Sequence, residues 1–373
     1  MMEKGKTEVR YPMIELDLVK LRNNVDQAVA RCGKMGIGLA GVIKGFTGIP
    51  EGAKVFADAG CDFIASSRLE QIQGAINHGI NAAYMLIRVP MLSEIEEVIR
   101  LTDISLNSEA AVLKALNREA LEQEKLHKVI LMADLGDLRE GFWDKKELLE
   151  AALMVENELN GLSLAGIGTN LGCYGSIKAT PEKMNELIAD AEMIEEAIGR
   201  KLEIISGGAT SSFPMVLDGT MPPRINNLRI GEGIILAQDL KNLYGLDMSF
   251  MFQDVFTLKA EIIEVKRKPS YPLGELAFDA FGKTGSYEDR GIRKKALLGI
   301  GKVDFAFPDM IYPRDKGVEV LGASSDHLIT DIEEAEREFK AGDIMEFDLC
   351  YAAVVFATNS PNVRIVCINN DRS

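Results

Sequence analysis

The groups in this sequence with chemistry to offer are a lysine closing an apolar run, an arginine in a glycine-bearing turn and a hydroxyl-rich loop. Lys44 ends the run Ala-Gly-Val-Ile-Lys (40–44) and is followed by Gly45. At such a place desolvation or a neighbouring cation lowers a lysine's pKa until its neutral amine can form a Schiff base with a carbonyl. The plainer alternative is a solvated lysine that merely ends a strand. Asp134, Gly136, Arg139 and Gly141 share one short stretch (133–142). There the guanidinium offers a planar, permanently charged donor fork suited to a carboxylate, with an ordinary surface turn as the alternative. In 203–213, Gly207 and Gly208 precede the hydroxyls of Thr210, Ser211 and Ser212. Glycines let the backbone approach closely, and exposed amides in such loops make anion-binding concavities.

These groups sit at the ends of short apolar runs, which places them on a particular scaffold. Strands are expected at 36–44, 62–66, 82–88, 104–107, 128–134, 164–170, 203–208 and 226–233. Between them, 18–32, 51–60, 67–79 and 181–200 carry apolar residues at three- and four-residue steps, as helices packed on a sheet require. Strand–helix alternation with eight strands predicts an α/β fold, a (β/α)8 TIM-like barrel over residues 1–240, whose chemistry lies at the C-terminal ends of the strands. From about residue 245 the texture turns β-rich, in 256–267, 272–282, 294–305, 318–332, 342–349 and 363–370. A C-terminal β-rich domain over 241–373 is therefore expected, with residues 1–15 as a candidate to pack on it.

Composition narrows the class. The chain has 373 residues, 47% hydrophobic and 27% charged, enough for two folded domains. A formal net charge of −15 opposes a phosphate backbone, so no nucleic-acid partner is expected. Five scattered cysteines without a Cys-x-x-Cys pair argue against a disulfide framework and a metal site, and favour a reducing, cytoplasmic setting. The opening residues lack an apolar run of signal length, and no stretch is long and apolar enough to span a membrane.

The run at 40–48, preceded by Met-Ile-Glu-Leu-Asp-Leu-Val-Lys-Leu-Arg-Asn-Asn-Val (13–25), resembles the cofactor-lysine strand and opening segment of the alanine-racemase-fold (fold type III) enzymes. The Asp-x-Gly-x-x-Arg-x-Gly spacing of 134–141 is similar to that family's arginine loop. This resemblance covers nearly the whole chain and implies pyridoxal 5'-phosphate (PLP) as cofactor, held through Lys44. It implies that Arg139 lies near the cofactor's phenolic oxygen and the substrate carboxylate. It makes Thr210, with Ser211, the phosphate contact, and sets Arg229 of Leu-Arg-Ile-Gly-Glu-Gly-Ile (228–234) beside the pyridine nitrogen, with the amides after it, at Gly231 and Glu232, completing the phosphate site. An arginine there keeps the ring unprotonated, which suits simple proton exchange at Cα. Asn170 stands where family members often carry histidine, as a cofactor-ring contact. Tyr351 lies near the family's late phosphate-touching tyrosine. Met132 replaces the lysine, sometimes carbamylated, that alanine racemases commonly place two residues before the aspartate.

Inversion needs a proton carrier on each face of the cofactor. Lys44 supplies one. Where alanine racemases use a tyrosine from the partner subunit, this sequence has Lys302 in 299–305. The segment 320–332 resembles a motif of PLP barrel decarboxylases through Gly322, Ser325 and Asp326. Carried over, Ser325 takes the place of their protonating cysteine, with His327 or Lys302 assisting. Asp326 selects a basic side chain across a head-to-tail homodimer, with His327 beside the substrate; a polar turn is the alternative. The pattern is most similar to the ornithine or broad-specificity basic amino-acid racemase branch. A basic amino-acid decarboxylase and an alanine racemase are the alternatives on the same fold. A PLP carrier protein shares the barrel loops but lacks the second domain.

Overall fold

The structure is a computed structural model that describes residues 10–369. Strand β1 (Met13–Asp17) and helix α1 (Leu18–Lys34) precede eight parallel strands: β2 (Gly38–Val42), β3 (Phe63–Ser66), β4 (Tyr84–Leu86), β5 (Ile104–Asn107), β6 (His127–Met132), β7 (Leu162–Gly168), β8 (Ile204–Ser206) and β9 (Asn227–Ile230). Each pairs with the next, and β9 returns to pair with β2, closing the barrel. Alternate residues such as Ala40 and Val42, Ile104 and Leu106, or Ile130 and Met132 gather into one buried cluster, as the two-residue period of a strand dictates for its inner face. The barrel is thus a packed core on which strand-end residues stand.

The connecting helices follow from their sequence. In Pro181–Ile198, buried Met184, Leu187, Ala191 and Ile194 recur at three- and four-residue steps. Thr180 caps its start by accepting the Lys183 amide at 3.3 Å, Pro181 suits the first turn, and Gly199 ends it with φ of 74°.

All eight expected strands are present, several of them shorter than expected. The strand expected to reach Lys44 stops at Val42, because the Ile43 carbonyl accepts the amides of Phe46 (3.3 Å) and Gly48 (3.0 Å), folding Lys44–Phe46 into a 3-10 turn. Phe46 is completely buried beneath that turn, its ring 5.8 Å from that of Phe56. Likewise the last barrel strand ends at Ile230, and Glu232–Ile235 is already helical.

The chain divides into two compact units: Lys20–Gln253, which holds the barrel, and the described residues up to Val19 together with those from Asp254 onward. The barrel unit runs past residue 240 because buried Asn24 of α1 ties the later segment back, donating to the carbonyls of Ile234 (2.8 Å) and Phe252 (2.7 Å) and accepting the Phe252 amide (2.8 Å). In the other unit, β10 (Phe256–Pro269), β11 (Ile292–Leu298), β12 (Ile311–Pro313), β13 (Glu319–Ala323), β14 (Leu328–Asp331), β15 (Ile344–Leu349) and β16 (Arg364–Ile368) form a largely antiparallel sheet ordered β12-β15-β10-β11-β14-β13. β1 joins it, antiparallel to β10 and parallel to β16. Of residues 1–15, the first nine lie outside the described residues, as does residue 370 at the end of the last expected strand.

Two expectations for this unit need correction. The run 272–282 is irregular and mostly exposed, with Leu273 86% and Phe278 78% accessible, because its apolar residues meet no partner strand. The run 294–305 is a strand only to Leu298 and turns helical at Lys302–Phe305, where Asp304 accepts the Gly301 amide at 3.2 Å.

Because Phe46 anchors the turn that carries Lys44, Phe46→Ala is expected to cost about 3–5 kcal/mol of stability. Denaturant unfolding checks this; a loss within about 1 kcal/mol would show that the turn is held by something else.

Candidate active site

Lys44 stands just beyond the C-terminal end of β2 and is partly buried. Burial is the main cause holding its amine below the ordinary lysine range; Arg139 and, more weakly, Arg229 push the same way, while Glu140 opposes them. These neighbours come from the loop after β6 and from β9, so the closed barrel assembles the site.

The loop after β6 is closed at its neck: Phe142 donates its amide to Met132 (2.7 Å), and Asp134 donates to Phe142 (3.1 Å). Gly141 is required there, since its φ is 133° and an added Cβ would come within 2.5 Å of the Asp134 nitrogen. Inside the loop, Asp134 accepts the amides of Gly136 (2.9 Å) and Leu138 (3.1 Å). Arg139 sits on the outer curve, half-exposed, with Nε and Nη2 both donating to Glu140, the latter at 2.8 Å.

From Glu140 a hydrogen-bonded chain crosses the barrel mouth. Its carboxylate also accepts Asn170 Nδ2. Asn170 Oδ1 accepts Arg229 Nη2 at 2.7 Å. Arg229, 3% exposed, further donates to the Thr169 carbonyl (2.7 Å) and to Ser206 Oγ, which itself donates to Asn227 (2.6 Å). Burial pulls Arg229 down to about 10, which still leaves it a cation at neutral pH.

Beside this chain two loops meet. Thr210 Oγ1 accepts the Gly233 amide (3.0 Å), and Gly208 accepts the Arg229 amide (2.9 Å). Thr210 keeps a hydroxyl proton to donate. Ser211 spends its own on the Leu171 carbonyl at 2.6 Å, so only its amide is left to donate to an anion. Gly231 opens the second loop, and its carbonyl accepts the amides of Ile234 and Ile235. Glu232 is buried: one carboxylate oxygen accepts the amides of Gln238 (2.9 Å) and Asp239 (3.0 Å), and the other has no partner. Burial chiefly raises this carboxyl to about 7.

Thus Lys44, Arg139, Asn170, Thr210, Ser211, Arg229, Gly231 and Glu232 share one end of the barrel. The remaining candidates lie in the other unit. Ser325, Asp326 and His327 form the tip of the β13–β14 hairpin, closed by the Ser324 amide on the His327 carbonyl (2.9 Å). The amides of Lys302 and Val303 donate to the carbonyls of Ser324 and Ser325, which joins Lys302 to that tip. The Lys302 ammonium faces Asp279 (3.6 Å) and the Phe281 ring (4.2 Å), in the wall of a cavity of about 740 Å³. Asp326 and His327 are exposed. Tyr351 opens the helix Tyr351–Asn359 of the same unit.

Known proteins share the sequence family and the fold of this chain. Residues 16–238 match the family model for the alanine racemase N-terminal domain. The chain belongs to the alanine racemase family. It is 39% identical over 345 residues to an ornithine racemase of Acetoanaerobium sticklandii, covering 92% of this chain and 96% of that one. It is 38% identical over 356 residues to a lysine racemase of Thermotoga maritima, covering 95% and 98%. The crystal structure of an alanine racemase from Streptomyces lavendulae shares the fold, with a TM-score of 0.76, 18% identity and 97% and 98% coverage.

Two acidic residues that brace this site were not picked out from sequence. Glu140, next to Arg139, is the acid in contact with that arginine, whereas Met132 is wholly buried in the barrel core. Asp137, also buried, accepts the amides of Gly172 (2.9 Å), Cys173 (3.2 Å), Tyr174 (2.9 Å) and Ile177 (3.4 Å), clamping the loop after β7 onto the loop after β6. Their one sequence signal was acidic residues inside a motif already singled out.

Burial alone would raise the Asp137 carboxyl, but the four amides override it and hold it below the ordinary carboxylate range. A depressed carboxyl stabilises the fold fully above its unfolded value, about 3.9, and loses that contribution as pH falls through its lower folded value. The difference in unfolding free energy between wild type and Asp137→Asn should therefore be largest at neutral pH and shrink below about pH 4. A difference that stays constant into acid would count against the clamp.

Proposed function

We propose that this racemase interconverts the L and D forms of a basic amino acid, ornithine or lysine, with PLP as its cofactor. The observation that carries the reading is a lysine with a depressed amine pKa set among two arginines at the mouth of a closed barrel. The near full-length relatives that racemise ornithine and lysine support the substrate class.

The residues present suit such a cofactor. An aldehyde needs a neutral amine, which burial favours at Lys44. A phosphate needs donors and bare backbone. Thr210 supplies a hydroxyl, and the two loops are glycine-lined where they meet: a Cβ on Gly208, whose φ is 110°, would lie 2.7 Å from Ser212 Oγ, and one on Gly231 would press on Val42 at 3.3 Å. A ring nitrogen suits Arg229, the buried cation of the set. Bound there, PLP supplies the electron-withdrawing ring that acidifies an amino acid's Cα proton.

In this reading Lys44 holds the cofactor and carries the Cα proton on one face. Arg139 binds the substrate carboxylate, and Asn170 orients Arg229. Amides at Ser211, Gly231 and Glu232 line the phosphate site. Ser325, assisted by Lys302 or His327, carries the proton on the other face. Asp326 pairs with the distal ammonium of the substrate, where His327 also lies. These last residues belong to a hairpin tip, so we assign them to the partner's site in a head-to-tail homodimer. No helix among the described residues is long and apolar enough to cross a membrane; five scattered cysteines without a Cys-x-x-Cys pair support a reducing cytoplasmic setting.

An optical-rotation screen of ornithine, lysine, arginine, alanine and serine should show ornithine or lysine racemised fastest, without carbon dioxide release. Lys44→Ala should abolish turnover. Asp326→Ala should raise KM for the basic substrate about tenfold or more, the worth of ~1.4 kcal/mol. Gas evolution without a D product would replace the racemase by a decarboxylase, and a preference for alanine untouched by Asp326→Ala would remove the basic-substrate assignment.

A further inference from the structure

We propose that Glu140 is the positioning residue of this site: its carboxylate bridges Arg139 to Asn170 and so fixes both arginines relative to Lys44. The proposal rests on the reading of the site above and adds to it a residue that touches neither substrate nor cofactor.

The argument begins with charge. Lys44, Arg139 and Arg229 are three like charges acting on one another at the barrel mouth, and two of them are largely buried. Such a group is tolerated only where acceptors and an opposing charge offset its desolvation. Glu140 offers the opposing charge, acting on both Lys44 and Arg229.

Geometry makes the assignment specific. Arg139 meets Glu140 with two donors, a fork that fixes the guanidinium plane. The oxygen that accepts Arg139 Nη2 also accepts Asn170 Nδ2. An ionised carboxylate only accepts, so Asn170 must turn its amide nitrogen toward Glu140 and its carbonyl toward Arg229. That carbonyl is what Arg229 Nη2 donates to at 2.7 Å. One carboxylate therefore sets the arginine beside the proposed carboxylate site directly and the buried arginine through Asn170. Neighbouring side chains in extended backbone point apart; here Arg139 and Glu140 meet, between Leu138 at φ 57° and Gly141 at φ 133°.

Glutamine at 140 would keep the size but place a donor where Arg139 or Asn170 also donates. The test uses the full-length protein freed of cofactor, and Glu140→Gln. Lys44 acylation by an amine-reactive reagent, mapped by peptide mass spectrometry across pH, should have its midpoint at lower pH in the variant, because a nearby anion has been removed. Cys173, which also faces Lys44, is unchanged in both proteins. With cofactor restored, KM for the basic amino acid should rise about tenfold. Glu140→Asp should return the acylation midpoint toward wild type, since charge is kept, but not KM, since the bridge is too short. A folded Glu140→Gln protein with unchanged midpoint and KM would overturn the proposal. Should that variant not fold, Asn170→Ala breaks the bridge at its other end, and unchanged PLP affinity in that protein would equally overturn it. If wild type racemises no amino acid while the midpoint still moves, the proposed reaction fails and the role of Glu140 stands.

Discussion

Three cations held at the mouth of an apolar barrel are the constraint on which the rest of this structure depends. Each would prefer water, and each repels the others more strongly where water is scarce. The molecule meets this with fixed acceptors. Arg229 is received by a backbone carbonyl, an asparagine oxygen and a serine hydroxyl, and Arg139 by a carboxylate. Lys44 is left as the group whose charge is least supported, which is the state a nucleophilic amine needs.

That arrangement needs loops that do not drift. The loop after β6 is pinched at Ala133 and Phe142 and internally braced by Asp134. Asp137 then fastens the loop after β7 to it through four amides. Asn170 and Thr169 belong to that second segment, so the acceptors of Arg229 and the partner of Glu140 are carried on one braced surface. Below, the buried cluster that includes Val42, Ile130 and Met132 gives the strand ends a rigid base. The second unit builds its own fixed point, a hairpin tip whose carbonyls are held by the amides of Lys302 and Val303.

Much of this was legible in the chain. Apolar periodicity located the eight barrel strands and four of the helices that accompany them, because a strand buried on both faces and a helix buried on one leave different repeats. Lys44, Arg139 and Arg229 stood out because their motifs resemble those of a known family, and the structure places all three at one end of the barrel. The run 272–282 misled, since alternating apolar residues look like a strand whether or not a neighbouring strand is there to pair with it. The end of β2 at Val42 was hidden for a similar reason: the turn depends on the Ile43 carbonyl finding two amides beyond Lys44.

The sequence by itself determined which local elements form and which side chains have chemistry to offer, because propensity, periodicity and turn residues act over a few positions. Only the tertiary structure decided which charge answers which. Glu140 and Asp137 are unremarked acids in a loop until β6 pairs with β7 and brings Asn170 and the amides of 172–177 within hydrogen-bond distance. Burial and electrostatic partnership depend on distances across the fold, and Lys44 feels Arg229 only once β9 has paired with β2.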